Sequence, residues 1–313
     1  MFAPRLSTRA RIAAYVALTK PRIIELLLVT TVPTMIVAEK GLPPIWLMVC
    51  TVLGGTFAAG GANAINMYVD RDIDRLMERT KGRPLVTGAM SPRAALTFAV
   101  ALEVVAFVFL WTTVNLLSAV LAVAACLFYV FVYTLWLKRT STRNIVIGGA
   151  AGAVPTLIGW SSVTGRLDWA PVVLFAIIFY WTPPHFWALA IRYRDDYAAA
   201  DVPMLPVVES LRRTSVRILG YTLLLWALTV LFSPVAGMGN LYLGAALVLG
   251  AVFTVYAVRL VRLHDPGPSV SPAGGVAEVE VRASAMRLFT WSITYITLLF
   301  GAMALDQLLR SGW

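Results

Sequence analysis

A polytopic, all-α membrane protein is the fold this chain predicts, and three observations carry the prediction. The 313 residues are 59% hydrophobic and only 13% charged, with a mean hydropathy of +0.78. Several apolar runs reach 18 residues or more, enough to cross about 30 Å of hydrocarbon. Lys and Arg gather in every second loop. Lipid offers no partner to a bare backbone, so such runs span as helices.

The runs number about nine: 23–39, 44–65, 94–113, 116–137, 145–162, 169–190, 216–236, 241–261 and 288–305. The first is the weakest, because Glu25 and Pro33 interrupt it. The formal charge of +10 suggests nucleic acid for a soluble protein, but here it reads as topology. Of 26 Lys and Arg residues, only Lys40, Arg166 and Arg310 lie outside the N-terminal segment and the alternate loops. The positive-inside rule then places the N-terminus and every charged loop in the cytoplasm, and nine spans put the C-terminus on the other side. The chain divides into a cytoplasmic N-terminal segment 1–22 and one transmembrane domain 23–305, followed by a short tail 306–313. The domain carries cytoplasmic acidic loops at 66–92 and 191–214. Residues 1–22 read as the flank of the first span rather than a transit peptide. Segment 264–282 begins rich in Pro and Gly and reads as a linker leaning to disorder. Cys50 and Cys126 lie in apolar runs and imply no disulfide framework.

The loop after the second run concentrates the chemistry. Three of the 16 acidic residues, Asp70, Asp72 and Asp74, fall within five positions. On a helix, Asn66, Asp70 and Asp74 stand four apart and share one face, drifting about 40° per step. Asp72 points away and reads as solvated. Two carboxylates at this spacing repel, and a bridging cation removes the cost. Oxygen-only ligands beside a phosphate-bearing substrate suit Mg2+. Lys81 and Arg83 follow in a turn, where cations help to hold a diphosphate. The plainer reading of these two is that cytoplasmic loops are basic anyway.

A second acidic loop holds Arg192, Asp195, Asp196 and Asp201. Two such loops on one face suggest two halves of one metal–diphosphate site. The plainer reading pairs Arg192 with Asp196 along a helix. Lys138, Arg139 and Arg143 form a loop without acids, suited to anionic oxygens or lipid headgroups. His185 sits inside the sixth run, in Trp-Thr-Pro-Pro-His-Phe-Trp. It reads as a haem-iron ligand, an acid/base group, or a hydrogen-bonded core His beside a kink. Tyr129, Tyr133, Trp181 and Phe186 are candidate cavity aromatics, although each also reads as packing.

The Asn66-x-x-x-Asp70-x-x-x-Asp74 pattern resembles the first aspartate-rich motif of the UbiA-type intramembrane prenyltransferases. Leu18-Thr-Lys-Pro-Arg22, Asp70-Arg-Asp-Ile-Asp-Arg75, Lys138-Arg-Thr140, Asn144-Ile-Val-Ile-Gly-Gly149, Thr182-Pro-Pro-His-Phe-Trp187 and Pro203-Met-Leu-Pro206 resemble its haem-farnesylating branch. The matches run through about residues 18–215. The resemblance implies a UbiA-type helical bundle that moves farnesyl from farnesyl diphosphate to a vinyl group of haem b. Water adds in the same reaction, giving haem O and diphosphate. Mg2+ would be held by Asn66, Asp70, Asp74 and Asp196, with Asp196 the best match in a second motif that departs from the family's Asp-x-x-x-Asp. Lys81, Arg83, Lys138, Arg139 and Arg192 would face the diphosphate, and His185 would meet the haem, which is substrate rather than cofactor. A bacterial inner (plasma) membrane location follows, with the lipid bilayer as partner and no nucleic acid. Haem A synthase or the terminal-oxidase assembly are further partners it suggests. Three rivals remain, the first two being a family member prenylating a quinone-precursor ring and a transporter. The transporter predicts ionisable residues at mid-membrane, whereas nearly all acids here sit at cytoplasmic ends, Glu25 and Glu103 being the exceptions. A non-catalytic haem-binding assembly factor is a third.

Overall fold

The structure is a computed structural model. It describes residues 7–263 and 274–312, with the side chains of 22–28 and 274–277 outside the description. Among the described residues there is no strand, and ten long helices follow one another. They are α1 (Thr8–Thr19), α2 (Pro21–Glu39), α3 (Ile45–Val69), α4 (Pro92–Thr113) and α5 (Leu116–Thr140). Then come α6 (Asn144–Thr164), α7 (Trp169–Arg192), α8 (Leu211–Ala236), α9 (Asn240–Arg262) and α10 (Gly274–Arg310). Eight of these, α3 to α10, are long and apolar enough to cross a membrane, by length and composition. For the first predicted span, 23–39, the described apolar part is only Val29–Glu39.

Helix α1 starts at Ser7, whose hydroxyl accepts from Ala10 N. It buries Ala14 and Leu18 against α3, and Tyr15 meets Phe98 edge-on at 5.0 Å. Pro21 ends it. A residue before proline is driven out of the right-handed helical region. Lys20 takes the left-handed conformation, φ 52°, and the chain turns there into α2. The segment 1–22 is therefore more than a flank, since most of it is a helix docked on the bundle. Its Arg5 and Arg22 lie outside the described side chains.

The bundle closes in a ring. Helix α2 packs against α3, α6 and α10; α6 packs against α5 and α7; α8 lies between α7 and α9; α10 returns to α2, α7 and α9. Without a hydrophobic drive between spans, close approach of small residues supplies much of the packing. A Cβ on Gly54 would fall 2.5 Å from Leu110 Cγ, and one on Gly159 would meet the Thr31 carbonyl at 2.7 Å. The α3–α4 and α2–α6 contacts therefore require glycine. In α5 the turns widen to a π-helix over Phe128–Leu137. Thr134 Oγ1 donates to Tyr129 O at 2.8 Å, a spacing of five residues. Such widened turns redirect side chains, and this one brings Thr134 to the site described below.

The ends of the chain differ from expectation. Residues 306–310 continue α10 instead of forming a tail. Asp306 is buried, accepting from Gly239 N at 2.6 Å and Tyr242 N at 3.2 Å. It thus caps the start of α9 from another helix, with Arg310 Nη1 at 3.9 Å. The expected linker 264–282 is helical from Gly274 onward, because α10 begins there, while 264–273 lie outside the described residues.

Asp306→Ala leaves the buried Tyr242 N–H and the half-buried Gly239 N–H unpartnered, and should destabilise the bundle by about 1–3 kcal/mol. Thermal melting of the purified protein in detergent checks this. Asp306→Asn, which keeps one acceptor, should melt between the two. An unchanged midpoint for the alanine variant would show that the cap carries no stability.

Candidate functional site

Helix α3 stops at Val69, before the aspartates, yet the four-residue spacing survives. Asp70 N donates to Asn66 O and Asp74 N to Asp70 O, both at 2.9 Å, the second leading into a 3-10 turn at Ile73–Arg75. Asn66, Asp70 and Asp74 are all buried, and Asp70 is wholly so. Asp72 is 60% exposed on its side chain, as expected of the residue turned away.

Each buried acid meets a cation. Lys138 Nζ bonds Asp70 Oδ2 directly, and Arg139 Nη2 lies 3.6 Å from Asp70 Oδ1. Arg83 Nη1 donates to Asp74 Oδ2 at 2.6 Å. Asn66 links the set: its amide donates to Asp70 Oδ2 at 2.8 Å and to Thr134 Oγ1 at 3.1 Å, while its Oδ1 accepts from Lys20 Nζ at 2.8 Å. Arg139 grips Asp72 with two bonds of 2.7 Å, which holds that carboxyl down at about 2. Burial, then the Arg83 and Lys138 cations, push the Lys20 ammonium down to about 7. Cations that depress one another in this way gain when a polyanion arrives.

These groups stand at one end of a cavity of about 650 Å³. Lys20, Asn66, Asp74, Arg79, Arg83 and Lys138 line its polar end. Asp70 lies one layer behind that wall. The rest is carved by what is missing: Gly55, Ala58, Ala59 and Ala62 of α3 face Gly148, Gly149 and Gly152 of α6, with Ala122 and Cys126 of α5. Tyr129 and Tyr133, stacked at 5.4 Å, line it too, as do Trp181, Phe186 and Tyr197. All four candidate aromatics therefore reach the cavity.

A hard cation fits the acidic corner. Asp70 Oδ1 is buried without a hydrogen-bond partner, and the available donors are carboxylate and amide oxygens, the set Mg2+ prefers. Among the described residues no three of His, Cys, Asp or Glu gather to form a cage. Asn66, Asp70 and Asp74 would hold such a cation with two carboxylates and an amide, and substrate oxygens would complete its shell.

Other expected residues are placed elsewhere. Asp196 does not line the cavity; its Oδ2 accepts from Arg79 N at 3.3 Å and so ties the second acidic loop to the first. Its neighbour Asp195 turns to Arg282 on α10, at 2.9 Å. Asp201 is exposed in a left-handed turn, φ 52°. Lys81 pairs with Glu78 in solvent, and Arg192 is exposed beside the Tyr193 ring. Neither faces the cavity, because both leave the outer side of their turns. His185 is buried but outside the cavity lining. It is stacked between Trp181 and Phe289, with Nδ1 2.7 Å from Ser292 Oγ, which matches the core-histidine alternative. Sequence reasoning missed Lys20, Arg79, Thr134 and Tyr197 as site residues. Lys20 had a signal, a cation directly before the Pro21 break. Thr134 had none, because only the π-helical turn brings it to Asn66.

Comparison with known proteins agrees with this architecture. The sequence model of the UbiA prenyltransferase family matches residues 27–273. A Parafrankia sp. protein named protoheme IX farnesyltransferase is 53% identical over 97% of this chain and 93% of its own length. One of the same name from Streptomyces avermitilis is 50% identical over 96% and 95%. Among solved structures, one concerned with digeranylgeranylglyceryl phosphate synthase superposes with a TM-score of 0.75 at 16% identity, over 96% of this chain and 99% of that one. A UbiA homologue from Archaeoglobus fulgidus, bound to DMAPP and Mg2+, gives 0.62 at 16%, over 91% and 99%. At such identities the superpositions speak for the fold, while the family match and the curated relatives speak for the lineage: this chain belongs to the UbiA prenyltransferase family.

Proposed function

We propose that this protein transfers a farnesyl group from farnesyl diphosphate to a vinyl group of haem b, with addition of water, giving haem O and diphosphate. The observation that carries the proposal is the joining of a buried acid–cation cluster to an apolar cavity of about 650 Å³. The first suits a metal-bound diphosphate and the second an isoprenoid chain. Relatives at 50–53% identity bear the name of this activity.

Asn66, Asp70 and Asp74 would hold Mg2+, which neutralises the diphosphate and makes it a better leaving group. Lys20, Arg83, Lys138 and Arg139 bind the remaining phosphate oxygens. They stabilise the charge that builds up as the C1–oxygen bond breaks. The allylic carbon forms a bond to the terminal carbon of the haem vinyl group. The cation left beside the porphyrin ring takes hydroxide from water, and a proton departs. The Gly- and Ala-lined cavity keeps water from the allylic centre before that bond forms. Tyr129, Tyr133 and Trp181 offer π faces to the cationic carbon. Asp196 serves as a positioning residue that holds the two cytoplasmic loops together through Arg79. Arg192, Lys81 and His185 act away from the reacting atoms. The active site faces the cytoplasm in a bacterial inner membrane, by the charge distribution of the loops.

Purified protein with haem b, farnesyl diphosphate and Mg2+ should yield a product with the mass of haem O, and chelation should abolish it. A prenylated hydroxybenzoate beside unchanged haem would establish the quinone-precursor reading instead. Asp70→Asn and Asp74→Asn should each lower turnover about 100-fold or more, the scale of losing a transition-state charge contact. Haem binding, followed by the Soret band, should persist. Asp196→Asn should cost less than about tenfold, the worth of one neutral-scale hydrogen bond. A loss equal to that of Asp70→Asn would make Asp196 a ligand. Lys20→Met should raise KM for farnesyl diphosphate about tenfold or more, since a hydrogen bond to a charged group contributes about 1.5–3 kcal/mol.

A further inference from the structure

The cytoplasmic half of the α9–α10 seam holds a second hollow, about 350 Å³, separate from the cavity above. Tyr256 of α9 forms one side. Arg287, Thr290, Trp291 and Thr294 of α10 form the other, at spacings of three and four that make one helical stripe. Arg287 directly precedes the apolar run 288–305, and Thr294 lies about 10 Å further along the axis. With this end of the bundle cytoplasmic, as the loop charges indicate, the stripe runs from headgroup depth to the upper acyl region.

Two of the residues lining this hollow carry a group with no partner among the described residues. Arg287 is exposed and has no carboxylate partner among the described residues. Its neighbour Arg282, by contrast, is tied to Asp195 and Glu278. The Trp291 Nε1 proton is buried with no acceptor, an arrangement that costs free energy in an apolar setting. No acidic residue lines the hollow, and Arg259 and Arg262 end α9 at the same side of the bundle. Tyr256 and Trp291 stack at 5.8 Å and give it an aromatic wall.

An occupant must therefore bring a negative charge at the Arg287 end, an acceptor oxygen one turn deeper, and an apolar remainder. We infer that the α9–α10 hollow is a binding site for an anionic phospholipid. The phosphate meets Arg287, an ester oxygen accepts from Trp291 Nε1, and an acyl chain follows Tyr256 and Thr294. Basic pockets between helices at this depth favour such headgroups over zwitterionic ones, whose own ammonium competes with the arginine.

The full-length protein, reconstituted in nanodiscs of phosphatidylcholine and phosphatidylglycerol, is released into native mass spectrometry. Wild type should retain phosphatidylglycerol in preference to phosphatidylcholine. Arg287→Ala should reduce retention about fivefold, and Arg287→Lys should restore most of it. Trp291→Phe, which keeps a ring but removes the donor, should reduce it about two- to tenfold. Arg93→Ala removes an equal charge from an exposed residue at the start of α4, away from this seam, and should change nothing. Equal retention of both lipids by wild type would overturn the inference. So would an unchanged Arg287→Ala, or an equal loss in Arg93→Ala, which would mean diffuse attraction to a basic surface. If Arg287→Ala fails to fold, Trp291→Phe carries the test by itself, and unchanged retention in it overturns the proposal.

Discussion

A buried carboxylate held by a half-buried ammonium, Asp70 on Lys138, is the constraint that organises this molecule. Taking two charges out of water costs several kcal/mol per ion, and the pair survives only where further hydrogen bonds complete it. Asn66 and Arg139 do so here. Because their owners belong to different elements, the requirement fixes α3 against α5, and through Lys20 both against the α1–α2 junction. Arg83 and Asp74 extend the same network into the first loop. Replacement of such a cluster by well-packed apolar side chains is often neutral or stabilising in a protein core. Its presence in an otherwise apolar bundle is therefore better explained by chemistry than by stability.

The polar network sets where the helices converge, and small residues set where they do not. In α3 and α6, glycine and alanine serve two opposite ends. Gly54 and Gly159 admit a neighbouring helix so closely that a Cβ has no room. Gly152 meets nothing within 4 Å and instead leaves cavity. One composition thus gives tight packing on one side of a helix and a void on another. A void that ends at a charged cluster is a suitable container for a molecule with an apolar tail and an anionic head.

This division explains what could be read from the chain. Eight helices, α3 to α10, cover the apolar runs between 44 and 305, because burial in lipid writes itself as hydropathy, while the first run is matched only over Val29–Glu39. Asn66, Asp70 and Asp74 were legible, since acids in such a chain are scarce and their spacing matches a helical turn. The fate of Lys81 and of Asp196 was not. A charge can face either side of a turn without changing composition, and Lys81 finds Glu78 three residues away. Thr134 was hidden for a different reason: a π-helical turn shifts the register by one residue, and nothing in Phe128–Leu137 announces it. His185 carried an ambiguous signal. Its rarity suggested chemistry, yet Ser292, more than a hundred residues away, supplies its hydrogen bond.

The second acidic loop shows how position alters meaning. Asp195 and Asp196 are adjacent, so their side chains leave the backbone in different directions, one toward Arg282 of α10 and the other toward the Arg79 amide. Neither reaches the cavity, but Tyr197, the next residue, does. The two loops are consequently unlike in what they offer. The first presents acids and cations; the second presents a tyrosine, with Trp181 and Phe186 below it on α7. Such asymmetry suits a reaction whose two substrates differ in kind. A diphosphate needs fixed opposite charge, and a flat, apolar acceptor needs aromatic surface. On the proposed reading, the charged partner would be held from α3 and α5 and the apolar one from α6 and α7, so that the bundle would orient them before either bond changes.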